Sequence, residues 1–196
     1  FEGATLQNAD FSGSDVKHVN FTGADCTGVL FERVKLEHPN FTRANLTNAV
    51  FRNQKGNEKI ETMDATDALL QNVRFEDAQI NGANFTQAVL TGTVFIRCLF
   101  KQSVFAESDL QGVQFVDCLF EGTQFPQAQA QGAVWSGKTR FSRCTFEGTN
   151  LDQADIRGVE FRDCKFHGAS MKEIRREGTV FDSDCNGMAM RAARAD

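Results

Sequence analysis

The chain has 196 residues, enough for one ordinary domain, and its 19 Phe stand beside no Tyr, one Trp and 2 Pro. A formal net charge of −5 and a pI near 5.3 argue against direct nucleic-acid or anionic-membrane binding, which would need a basic patch. No apolar run approaches the roughly 18 residues of a membrane-spanning helix.

From Phe1 to Phe51 every fifth residue is Phe, Leu, Val or Cys, and the residue two before it is small or apolar, as at Ala4, Ala9, Ser14, Val19, Ala24 and Val29. Side chains two apart on extended chain share a face, so both positions point inward and the other three turn a corner outward. At about residues 52–64 a polar stretch interrupts the pattern and is expected to be a loop of roughly nine extra residues. The register resumes at Ala65 and runs through Leu70, Phe75, Ile80 and Phe85 to Trp135. A bulge is expected at about residues 136–140, where the match of FSRCTF to FVDCLF favours six added residues over one. The pattern then runs from Phe141 to Phe181, and residues 182–196 are expected to form a C-terminal cap or tail. Residues 1–181 thus read as a single repeat domain. All 19 Phe lie on its central position, and 14 of the 16 Gly lie two residues after a centre, where a tight corner calls for positive φ.

A second period overlies the first. FIRCLF at 95 and FVDCLF at 115, like FSRCTF at 141 and FRDCKF at 161, are 20 residues apart, so four five-residue units make one coil. The stretches ANLTN and ADIRG carry the A(D/N)LXX pattern, and the chain resembles the pentapeptide-repeat family over almost its whole length. The resemblance implies an all-β fold, a right-handed quadrilateral β-helix of about nine coils, with central side chains stacked in columns up the axis. Phe11, Phe31, Phe75, Phe95, Phe115 and Phe161 are expected in those core columns, almost fully buried. Stacked rings leave no partner for a phenol hydroxyl, which accounts for the missing Tyr.

Nothing in the sequence assembles a catalytic set. His18, His38 and His167 are all on outward positions without a nucleophile at fixed spacing, so no catalytic residue is expected and the chain reads as no enzyme. His18 and His38 should stack in adjacent coils, but two solvated imidazoles are not a metal site, and no metal or cofactor is expected. Cys98, Cys118, Cys144 and Cys164 occupy inward positions and Cys26 a central one, as small apolar residues would. Reduced buried thiols favour a cytoplasmic setting. Phe1 is already in register, so the natural start is expected to lie upstream.

Most outward residues are polar, whereas Val94, Ile96, Leu99, Val104, Val116 and Leu119 are outward and apolar. They are expected to cluster on two adjoining sides as an interface. The function expected is therefore a non-catalytic protein–protein interaction scaffold or recognition module, either alone or as the repeat domain of a larger bacterial protein. Its partner would be another protein, either a second copy of this chain or a foreign one. The resemblance implies an alternative, an acidic rod that mimics DNA and binds DNA gyrase or topoisomerase IV, conferring resistance to quinolones or peptide toxins. Against this, about 40 Å of duplex carries roughly 24 negative charges.

Overall fold

The computed structural model describes residues 1–54 and 59–188. Short strands, mostly three residues long, each bury a central side chain between two outward ones, as in Leu30–Glu32, Val94–Ile96 and Leu99–Lys101. They form two parallel sheets of nine and six strands. Each coil repeats the register of the one below: Phe95 lies opposite Phe115 in the six-stranded sheet, and Phe100 opposite Phe120 in the nine-stranded one. The other two sides pair through single residues, such as Asn20 with Asn40 and Asp25 with Asn45. In chain order the sides are numbered 1 (centred on Phe21), 2 (Cys26), 3 (Phe31) and 4 (Leu36). The nine strands of side 4 mark eight coil-to-coil steps, so the all-β solenoid has about eight turns, close to the nine coils expected.

Corners explain why two sides form sheets and two do not. After sides 1 and 2 the chain closes a turn on itself, as in Ala24 N–H to Phe21 O at 2.9 Å and Thr93 N–H to Leu90 O at 2.9 Å. The third residue of each such turn is left-handed, Gly23 at φ 65° and Gly92 at φ 72°. This is the type II geometry. At Gly92 a side chain would also meet Asn72 Oδ1 at 2.5 Å. Left-handed backbone recurs at corners that hold no glycine, including His18, Arg97 and Asp117, despite the roughly 1–2 kcal/mol it costs an L-residue. Hydrogen bonds between coils hold those corners, such as Arg97 N–H to Val116 O at 2.9 Å.

The core is four columns. Side 3 stacks Phe31, Phe51, Phe75, Phe95, Phe115 and Trp135, with successive ring centres 4.6–5.7 Å apart. Side 4 begins with Val16, Leu36, Ile60 and Ile80 and turns aromatic at Phe100, continuing through Phe161 to Phe181. Edge-to-face contacts such as Phe115 with Phe120, 77° between planes, knit neighbouring columns together. Phe31, Phe75, Phe95, Phe115 and Phe161 are buried. Phe11 is only half-buried, contrary to expectation, because it lies in the first coil, where no ring stacks beneath it on side 3.

Three register breaks differ from their expected form. Phe51 and Ile60 are nine residues apart where the period requires five, so four residues are added rather than nine. Gln54 and Met63 are buried at inward positions within the stretch 52–64 expected as a loop, of which residues 55–58 lie outside the described residues. Near Trp135 a single residue is added, not six, because Phe141 stacks on Phe120 of side 4 and not on Phe115. FSRCTF therefore sits one side further round than FVDCLF. Residues 182–188, expected as cap or tail, continue the coil instead: Asn186 bridges Lys165 and its N–H bonds Cys164 O at 3.0 Å. The rest of that segment, 189–196, lies outside the described residues.

Candidate functional site

Sides 3 and 4 meet at a corner whose left-handed residues form a ridge: Arg33, Asn53, Asp77, Arg97 and Asp117. The six outward apolar residues distribute unevenly about it. Ile96 and Val116 are register partners on side 3, and Leu99 and Leu119 on side 4. Of these Leu119 is the most open, at 45%. Val94 stands between Arg74 and Gln114, and Val104 between Asn84 and Gln124 on side 1, past the next corner. The expected cluster therefore has two pairs flanking the Arg97–Asp117 ridge, with Val94 beside Ile96 on the same strand and only Val104 set apart, on side 1. A count of outward apolar residues cannot see that corners separate them.

Other outward apolar pairs were passed over. Leu69, 40% exposed, bridges Val89 on side 2, and Leu30 pairs with Val50 on side 3. They occupy the same place in the five-residue register as Leu99, immediately before the centre, and that signal would have found them.

Charges of both signs stand along sides 3 and 4. Arg97 donates to both carboxylate oxygens of Asp77, at 2.9 and 3.0 Å, and to Glu76 at 2.7 Å. Those bonds from Arg97, with others from Arg74, hold the Glu76 carboxyl below its usual range. Glu32 below it pairs with Arg52, Glu121 with Lys101 and Arg143, and Glu160 with Arg140 and Arg162. Glu76, Glu121 and their neighbours are thus partly covered rather than freely solvated. Asp155 is the most enclosed carboxylate of these networks, and its hydrogen bonds to Arg157, chiefly, keep it ionised below the usual range.

Among the described residues, the titratable groups outside these networks gather no reactive set. The His18 and His38 rings stack at 4.7 Å and 13°, and the Thr62 hydroxyl meets His38 Nδ1. Among the described residues no group of three His, Cys, Asp or Glu could hold a metal ion. The six Cys are free, in two inward columns and at Cys26; burial pushes the Cys26 thiol up to about 12 and the Cys98 thiol well above its usual value. An internal cavity of about 10 Å³ lies among Trp135, Phe141, Phe146 and Ile156, at the lower limit for one water. A surface depression of about 430 Å³ is lined by Asn81, Lys101, Gln102, Glu121 and Arg143, whose charges already pair with one another. No helix among the described residues is long and apolar enough to cross a membrane.

The sequence profile of the pentapeptide repeat region matches residues 24–99 and 83–156, and that of pentapeptide repeats in eight copies matches residues 1–37 and 139–174. No curated protein sequence matches. Among solved structures, the chain is similar to HetL of the cyanobacterium Nostoc sp. strain PCC 7120, a pentapeptide repeat protein involved in regulating heterocyst differentiation. The two are 17% identical, with 92% of this chain and 88% of that one covered and a TM-score of 0.41. It is also similar to trypsin-treated QnrB1, a plasmid-mediated fluoroquinolone resistance protein, at 14% identity, 92% and 93% coverage and a TM-score of 0.49. A pentapeptide repeat protein of the Arabidopsis thaliana thylakoid lumen is 21% identical over 75% of this chain and 68% of its own, with a TM-score of 0.22.

Proposed function

Because the chain belongs to the pentapeptide repeat family, we propose that it is a non-catalytic scaffold that binds another protein along the ridge between sides 3 and 4. The observation that carries this reading is the pair of aliphatic contacts, Ile96–Val116 and Leu99–Leu119, set outward on either flank of that ridge. The core gains nothing from them, since Glu76 and Gln79 occupy the positions of Ile96 and Leu99 in the neighbouring row without disturbing the fold. Exposed apolar area forgoes roughly 25 cal/mol per Å² that a partner could recover. The interior is filled by side chains, and of the two concavities described above one is too small for a substrate and the other is lined by groups already paired.

The test is affinity capture from the native host with the unmodified chain and with Ile96→Glu/Val116→Lys, fold checked by circular dichroism. Loss of a captured protein in the variant supports the reading; identical capture overturns it. The topoisomerase alternative gains no support from the charge pattern, because a rod that stands in for duplex needs one sign of charge repeated along its length. Here Arg52 separates Glu32 from Glu76 and Arg97 separates Asp77 from Asp117. Gyrase supercoiling unaffected by micromolar protein would remove it.

A further inference from the structure

Side 4 carries a charge pattern that is its own complement. Reading up the column just before each centre gives Lys35, Lys59, Gln79, Leu99, Leu119, Arg140, Glu160 and Val180; the column just after gives Glu37, Glu61, Asn81, Lys101, Glu121, Ser142, Arg162 and Asp182. Consider a second copy laid face to face with its rod reversed, related by a two-fold axis that lies in the interface and passes between Leu99 and Leu119. Each residue then meets its counterpart across the axis. Leu99 meets Leu119, Lys101 meets Glu121, Lys59 meets Glu160 and Glu61 meets Arg162, every contact occurring twice by symmetry. Asn81 meets Ser142, both neutral, whereas Arg140 meets the uncharged Gln79 and Lys35 meets Val180, neither gaining a counter-charge across the axis. One like-signed contact remains near the ends, Glu37 with Asp182, and Lys35 and Lys17 already pair with Glu37.

Side 3, treated the same way, fails. Arg52 would meet Arg157 and Glu32 would meet Glu177, so self-complementarity is not a general property of the rod. The upper rows of side 4 also stack with little turn from one to the next: from Phe100 to Phe181 successive rings are 4.4–5.0 Å apart and turn by only 2–8°.

We propose that the chain forms an antiparallel homodimer through side 4, with Leu99 and Leu119 of both copies at its centre and the Lys59–Glu160 and Glu61–Arg162 contacts setting the register. The proposal rests on the scaffold reading, and it leaves Ile96 and Val116 on side 3 for a foreign partner. Eight overlapping coils at about 4.8 Å, with strands about 10 Å across, give a contact on the order of 400 Å² per copy, below the usual size of a stable specific interface and suited to a weak, transient dimer. A dissociation constant on the order of 10 µM is therefore expected, rising with salt because ion pairs fix the register.

Sedimentation equilibrium from roughly 1 to 300 µM tests this. The expected result is a concentration-dependent dimer that Leu119→Arg abolishes, the site being exposed enough for the variant to fold. Glu61→Arg alone and Arg162→Glu alone should each weaken association about tenfold, and the double variant should restore it, because the two residues are five coils apart in one copy and meet only in the reversed pair. A monomer throughout that range, or a dimer indifferent to Leu119→Arg, or single charge reversals that the double does not rescue, would overturn it. A monomeric chain that still captures a host protein through Ile96 and Val116 sinks the dimer and spares the scaffold; a dimer that captures nothing does the reverse.

Discussion

The rings of Phe95 and Phe115 lie 4.9 Å apart and 7° from parallel, and Phe115 in turn carries Trp135 at 5.7 Å. Neighbouring coils hold this column open, so removing one ring leaves a cavity that cannot collapse. Phe115→Ala should cost about 3–5 kcal/mol in urea unfolding, and Phe115→Tyr about 1–3 kcal/mol for its unpartnered hydroxyl. Phe11→Ala, in the half-buried first coil, should cost distinctly less.

Trp135 is the one exception to the purely apolar rings, and its buried indole N–H finds no hydrogen-bond partner. Trp135→Phe removes that orphan donor while enlarging a cavity that is already about 10 Å³. The two effects oppose one another, and the net change in stability should stay within about 1 kcal/mol. A loss as large as that of Phe115→Ala would show that the indole is bonded.

Acid should unfold the rod. Glu76 and Asp155 are held below their unfolded values by hydrogen bonds from Arg97 and Arg157 respectively, so each contributes stability above the unfolded carboxylate range, about pH 4. That contribution is lost as pH falls through the lower folded values. Melting temperature should therefore be nearly flat from neutral to about pH 5 and fall below about pH 4. Asp155→Asn should lower it at neutral pH and make the acid fall shallower; an unchanged slope would remove Asp155 from the account.

Thiol reagents should find the native protein almost inert at pH 8. Five of its six Cys are buried, and even half-buried Cys185 is pushed up to about 12, mainly by its burial. Denaturant should expose all six at once. Rapid reaction of the native chain would show that the Cys98 and Cys118 column opens far below global unfolding.

The period, the inward pair of positions and the coil length were legible because one residue class repeats down each column, and Phe cannot be hidden at any other position. The breaks were not. Gln54 and Met63 fill inward positions that the pattern reserves for smaller residues, so a short insertion resembled a long loop. FSRCTF looks like FVDCLF, yet one added residue moves it a side further round, and local resemblance carries no record of rotation. The candidate surface was half legible: register placed Ile96 over Val116 and Leu99 over Leu119, whereas the ridge between them and the displacement of Val104 depend on where the corners fall.

The bonds between coils, such as Phe21 N–H to Asn40 O and Asn40 N–H to Val19 O, run along the rod. Tension on the two ends of the chain therefore meets those of the outermost coil before the next, and the rod should peel coil by coil at low, nearly constant force. A load across the rod meets many coils at once. The molecule is soft when unwound from its ends and stiff as a strut.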